Sequence, residues 1–150
     1  MERIKVVVRY RNGKIMKGFS NNFFPNKNHF HLVPADNPNA KPIEVLVKEL
    51  KAVFVVRDFT GDSQHNERKE YDVGERPSGR KVKVTFQDGE VLVGSTLGYN
   101  LNQVCFSIVP ADRQSNNIRI FIVLSAVKDI SSVDAIEKSA PAGFSYRAQV

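Results

Sequence analysis

The stretch Arg80-Lys81-Val82-Lys83-Val84-Thr85-Phe86-Gln87-Asp88-Gly89-Glu90-Val91-Leu92-Val93-Gly94 decides the fold class. Val82, Val84 and Phe86 alternate with Lys81, Lys83, Thr85 and Gln87, the period of two that turns one face of a strand inward. Asp88-Gly89 follows at once and signals a hairpin, because a two-residue type I′ turn needs positive φ at both positions and glycine takes it without strain. Such a turn sets Gln87 opposite Glu90, Phe86 opposite Val91 and Val84 opposite Val93, so the apolar residues of both strands share a face. Near the N-terminus, Arg9-Tyr10-Arg11-Asn12-Gly13-Lys14-Ile15-Met16-Lys17-Gly18 has the same construction.

A shift of 76 residues carries Gly13 onto Gly89, Gly18 onto Gly94, Asn26 onto Asn102, Phe30 onto Phe106, and Pro34-Ala35-Asp36 onto Pro110-Ala111-Asp112. Self-similarity of this kind marks an internal duplication. Past the triplet the register slips by one or two residues in a Pro/Asn-rich loop, and Leu50-Lys51-Ala52-Val53 meets Ser125-Ala126-Val127. Each repeat predicts three further strands after its hairpin: Phe30 to Val33 or Cys105 to Val109, Ile43 to Val47 or Ile118 to Leu124, and Ala52 to Val56 or Ala126 to Ile130. The β-branched Val45, Val47, Val53, Val55 and Val56 argue for strand over helix between Ile43 and Val56. Five short strands joined by tight turns predict an all-β fold of two tandem small barrels. The boundaries are residues 1–58 for the first, basic repeat, 59–79 for a linker, 80–132 for the second repeat and 133–150 for a C-terminal tail. Glu70-Tyr71-Asp72-Val73 offers an extra strand within the linker. A barrel of this size buries little apolar surface alone, so packing of the two repeats, or a homodimer, is expected.

The chain has 150 residues, 41% of them hydrophobic and 25% charged, within the range of soluble globular proteins. Its one cysteine, Cys105, excludes an internal disulfide, and its apolar neighbours Val104 and Phe106 suit a buried thiol in a reducing compartment. No apolar run approaches the roughly 18 residues of a membrane span, and the charged start Met1-Glu2-Arg3-Ile4-Lys5 does not read as a secretory leader. A cytoplasmic protein without membrane contact is expected.

The pattern Val82-x-Val84-x-Phe86-x-Asp88-Gly89-Glu90-x-x-x-Gly94, followed by an aromatic, an Asn-rich loop and an apolar strand, resembles the first segment of the Sm-like RNA-binding proteins. That resemblance implies small Sm-like or SH3-like barrels of five strongly bent strands. It also offers Asn26 and Asn102 as counterparts of the Asn in the Sm-like RNA pocket. The Arg-Gly pair of that pocket is absent, since Phe121-Ile122-Val123-Leu124-Ser125-Ala126 stands in its place. The wider set Phe86 to Glu90, Gly94-Ser95-Thr96-Leu97-Gly98-Tyr99, Pro110-Ala111-Asp112 and Ser115-Asn116-Asn117 is similar to an uncharacterised bacterial family joined to signalling and type IV pilus-related modules. It implies a regulatory or adaptor protein. Arg76-Pro77-Ser78-Gly79-Arg80 resembles the arginine motif with which PilZ domains hold a cyclic dinucleotide, without the downstream segment those domains carry.

Catalysis finds little support. No nucleophile elbow, phosphate loop, metalloprotease motif or dinucleotide fingerprint occurs, so the sequence predicts no enzyme and no cofactor. His29 and His31 share a strand face as a metal pair would, yet Cys105 and Ser107 stand at the equivalent positions, which favours an ordinary polar strand. Charge is more informative. Residues 1–58 hold eleven bases and five acids, against five and four in residues 81–130. With a two-residue Asn12-Gly13 turn, Arg11 lies directly opposite Lys14 and Arg9 shares their face, an arrangement that repels and invites an anion. The sequence therefore predicts a non-catalytic adaptor for a protein partner. The alternative is a nucleic-acid or nucleotide binder, cyclic dinucleotides included, using Arg9, Arg11, Lys14, Asn26, Asn102, Arg76 and Arg80. In either case the basic first repeat is expected to interact and the second to support it, since Lys17 stands where the second repeat has an inward Val93.

Overall fold

The computed structural model describes residues 3–60, 71, 77, 79–112 and 114–133. Ten strands are present: β1 (Ile4–Tyr10), β2 (Ile15–Ser20), β3 (His29–Pro34), β4 (Ile43–Leu46), β5 (Leu50–Val56), β6 (Arg80–Phe86), β7 (Val91–Thr96), β8 (Cys105–Pro110), β9 (Asn117–Val123) and β10 (Val127–Ser132). Single 3₁₀ turns at Val47–Glu49 and Leu124–Ala126 join β4 to β5 and β9 to β10. The segment read as strand between Ile43 and Val56 is therefore strand, interrupted by one tight turn.

All pairings are antiparallel, and the strands form one sheet in the order β10-β6-β7-β8-β9-β5-β1-β2-β3-β4. The duplication is visible in the register. Val6 opposite Gly18 recurs as Val82 opposite Gly94, and Gly18 opposite Pro34 as Gly94 opposite Pro110, each displaced by the 76 residues read from the sequence. Phe30 opposite Val45 becomes Phe106 opposite Ile122, and Tyr10 opposite Leu50 becomes Phe86 opposite Val127. Val45 thus corresponds to Ile122 and Leu50 to Val127, one residue beyond the shift of the first three strands. The alignment of Leu50-Lys51-Ala52-Val53 with Ser125-Ala126-Val127 is corrected accordingly: the loop before the fourth strand differs by one residue, and the fifth strands match from Leu50 and Val127.

The hairpins also correct the expected turn. Phe86 N–H donates to the Glu90 carbonyl at 2.8 Å and Gly89 N–H to the Phe86 carbonyl at 2.9 Å, with the same bonds from Tyr10 to Lys14 and from Gly13 to Tyr10. The loops hold three residues, and only their glycines have positive φ, 94° at Gly13 and 92° at Gly89. Asn12 and Asp88 instead accept a hydrogen bond from the backbone N–H two residues on, the Asx arrangement that a three-residue loop with a terminal left-handed glycine accommodates. One extra loop residue slips the pairing by one and exchanges faces. Leu92, not Val93, lies opposite Val84 and packs on its core, while Val93 covers Tyr71 and Ala111 on the other side.

Besides the small cluster of Tyr71, Val93 and Ala111, the described residues form two larger hydrophobic cores, and neither of these belongs to one repeat alone. The first gathers Val6, Val8, Phe30, Leu32, Val45, Leu50 and Val53, together with Val123 of the second repeat. The second gathers Val82, Val84, Phe86, Phe106, Ile108, Ile120 and Ile122, together with Ala52, Phe54 and Val56 of the first repeat. Because β5 pairs with β9, alternate side chains of both strands enter opposite cores. The all-β class stands as expected, while the two separate barrels give way to a single open sheet whose central pair serves both halves. Of the expected strand at Glu70 to Val73, only Tyr71 lies within the described residues, where it is buried. The expected tail from Val133 onward lies outside them apart from Val133 itself.

Candidate functional site

The duplication makes each contact at the centre of the sheet a template for its ends. At the centre, β5 pairs with β9, Ala52 opposite Ile122 and Phe54 opposite Ile120. The counterparts of those strands are β10 and β4, and an equivalent ladder would set Asp129 opposite Val45 and Ser131 opposite Ile43. No such ladder forms; β10 and β4 are the two ends of the sheet. They border a common groove of about 950 Å³, with Leu46 and Lys48 from one side, Val127, Lys128 and Ile130 from the other, and Leu101 from the loop between β7 and β8. The side chains explain the difference. Where β5 offers Ala52 and Phe54, β10 offers Asp129 and Ser131, and where β9 offers Phe121, β4 offers the exposed Glu44. Charged and polar groups on an edge disfavour direct pairing with another apolar edge.

The flanking loops follow the same division. Between β2 and β3, Phe23 is buried edge-to-face against Phe121 with centroids 4.9 Å apart, and the Cys105 thiol donates to the Pro25 carbonyl at 2.9 Å. Burial pushes that thiol up to about 11, so Cys105 is a packed core group rather than a nucleophile. The counterparts of Phe23 and Pro25 are Tyr99 and Leu101. Tyr99 rests on Phe106 at 5.1 Å, but Leu101 is 73% exposed at the groove.

A third difference is electrostatic. Lys51, buried at the irregularity between β1 and β5, donates to Asp88 at 2.7 Å and to Glu90, and Arg9 completes the cluster on Glu90 at 3.2 Å. The bond from Lys51, with that from the Glu90 backbone N–H, holds the Asp88 carboxyl below its ordinary range. The counterpart of Lys51 is Lys128, and the counterparts of Asp88 and Glu90 are Asn12 and Lys14. Lys128 is exposed and forms no ion pair among the described residues.

The residues singled out from the sequence take varied positions. Arg9 is not a free cation: it is bound to Glu90 and lies 5.6 Å from the Phe54 ring. Arg11 is not opposite Lys14, because the longer loop places Tyr10 there, so the expected like-charge clash does not exist. Arg11 instead borders a cleft of about 250 Å³ with Lys51, Phe86 and Asp88, and the Lys14 ammonium lies 5.4 Å from the Tyr10 ring. Lys17 is exposed where its counterpart Val93 is buried, although Val93 packs on Tyr71 and Ala111 rather than in the core of Val84. It lies opposite Val7, and its ammonium donates to the Phe59 carbonyl at 2.7 Å. Asn26 and Asn102 are exposed in the equivalent loops of the two halves, and Arg80 is exposed at the start of β6. Arg76 lies outside the described residues. His29 and His31 are exposed neighbours, His31 Nδ1 meeting the Asn22 amide at 3.0 Å, and no three-ligand metal cluster occurs among the described residues.

Leu46, Lys48, Leu101 and Lys128 were not singled out by motif. The repeat itself held a signal for the open edge, in the contrast between Leu50-Lys51-Ala52-Val53-Phe54 and its counterpart Val127-Lys128-Asp129-Ile130-Ser131, where Asp129 and Ser131 replace Ala52 and Phe54.

Residues 2–134 match a family of unknown function, DUF6982, a span that includes both halves and the whole groove. The chain belongs to that family. No curated protein and no solved structure matches it. Among the described residues, no helix is long and apolar enough to cross a membrane.

Proposed function

We propose that this protein is a non-catalytic recognition module, each half a bent five-stranded unit of Sm-like or SH3-like kind, that binds a protein partner as a regulatory or adaptor component of a bacterial signalling or pilus-related system. One observation supports the reading above others: among the described residues, both ends of the sheet are unpaired and border a single groove. An unpaired strand presents a row of backbone donors and acceptors that an extended partner segment can satisfy, with side-chain pockets adding selectivity. The basic residues favour an anionic ligand less, since Arg9 and Lys51 are already neutralised by Glu90 and Asp88.

Salt separates the two readings. Main-chain pairing and apolar contact respond weakly to ionic strength, whereas a ligand held through six or more phosphates loses about 10³-fold or more in affinity between roughly 50 and 200 mM salt. The full chain, immobilised and exposed to a bacterial lysate and separately to single-stranded RNA, is expected to retain a protein across that range and to hold RNA weakly. Retention of RNA alone, with a steep salt dependence, overturns the proposal.

A further inference from the structure

We propose that the groove between β10 and β4 takes an extended, acidic segment of the partner as an added strand antiparallel to β10, with apolar side chains toward Leu101 and Leu46 and carboxylates toward Lys48 and Lys128. This rests on the protein-partner reading above and names the segment it binds.

The occupant follows from what the duplication leaves unfilled. In the closed junction, the first repeat contributes three things: the β5 edge, the Phe23-to-Pro25 loop and the Lys51 ammonium. Each is met by the second repeat, through β9, through Phe121 with Cys105, and through Asp88 with Glu90. In the open junction the second repeat presents the same three features, the β10 edge, the Tyr99-to-Leu101 loop and Lys128. The first repeat answers none of them. Its β4 carries exposed Glu44 where Phe121 would be, and its hairpin carries Asn12 and Lys14 where Asp88 and Glu90 would be. Among the described residues nothing supplies the missing groups, and they are assigned to the partner. They are a strand that runs as β9 runs against β5, apolar residues to cover Leu101 and Leu46, which are 73% and 37% exposed, and carboxylates for the cations. Lys48 and Lys128 against Asp129 leave the groove lining with an excess of positive charge, and neutralising a partly desolvated ammonium is what Asp88 and Glu90 do for Lys51.

The test uses the full chain with two labelled synthetic peptides, Glu-Ile-Glu-Phe-Glu-Val-Glu and Lys-Ile-Lys-Phe-Lys-Val-Lys, followed by fluorescence anisotropy and amide hydrogen exchange. The acidic peptide is expected to bind about tenfold more tightly than the basic one and to slow exchange along β10. Lys48→Glu with Lys128→Glu, both at exposed positions, is expected to leave the melting temperature unchanged and to reverse the preference. Leu101→Asp should weaken binding of the acidic peptide. Equal binding of the two peptides, no binding, or binding that leaves β10 exchange unaltered overturns the groove assignment. The two readings fail separately. A lysate protein that binds while β10 exchanges freely sinks the groove and keeps the protein-partner reading. Selective binding of the acidic peptide with no protein retained from lysate keeps the groove's chemistry and sinks that reading.

Discussion

Gly89 and Gly94 stand five residues apart and answer to different constraints. Gly89 closes the hairpin with φ of 92° and nothing within 4 Å of where a Cβ would sit, so Gly89→Ala meets only the backbone cost of a left-handed residue, roughly 1–2 kcal/mol. At Gly94 a Cβ would lie 2.3 Å from the Val109 carbonyl oxygen, a backbone atom that cannot turn aside. Gly94→Ala should cost more than Gly89→Ala, about 3 kcal/mol on the scale of overpacked cores, and denaturant unfolding of the two variants side by side checks the order. At Asp88 the folded carboxyl titrates below its ordinary 3.8 because of its bonds from Lys51 and the Glu90 backbone. A depressed folded value means the stabilisation is complete above the unfolded pKa and disappears as pH falls through the folded one, so the window lies below about pH 4. Asp88→Asn keeps the acceptor for Glu90 N–H and removes the charge. Its melting temperature should fall less than the wild type's between pH 5 and pH 3, a small difference because the carboxyl is mostly exposed; equal losses would assign acid lability to other groups.

At the scale of elements, β5 and β9 differ from every other pair in having two apolar faces. Val53 and Leu50 enter the first core while Ala52, Phe54 and Val56 enter the second, and Phe121 and Val123 divide from Ile120 and Ile122 in the same way. Phe54→Ser places at the centre the residue that Ser131 is at the edge. It should cost about 3–5 kcal/mol by cavity formation and loss of burial, read as a lowered urea midpoint. Val84→Asp, an unpaired carboxylate at a fully buried site, should prevent folding altogether. Much at this scale was legible: the strands lie within a few residues of where alternation and β-branching put them. The register was not, because a two-residue and a three-residue hairpin loop share the same Asn-Gly or Asp-Gly signal and differ only in which backbone bonds close them.

For the whole molecule, the shared central pair means that neither repeat completes its own core. Fragments 1–60 and 79–133, expressed separately, should lack the dispersed methyl resonances of a packed core, and mixing them should restore these resonances. Independent folding of either fragment would show that the borrowed residues are dispensable. The duplicate architecture also ties the basic first repeat to the second: Arg9 and Lys51 hold the second repeat's hairpin, and the groove draws on both halves.

By itself the sequence determined the all-β class, the duplication and the place of nearly every strand, because alternation, β-branching and turn glycines act through neighbours only a few residues away. It also contained the contrast between apolar β5 and polar β10. Only the tertiary structure decided which edges meet. Whether Arg11 opposes Lys14, whether Lys51 finds Asp88, and whether β4 closes on β10 depend on a one-residue slip in a hairpin and on contacts between residues tens of positions apart. In a strand, a single residue of register exchanges the two faces, so a local misreading that leaves the fold class intact relocates the charge that a binding site is built from.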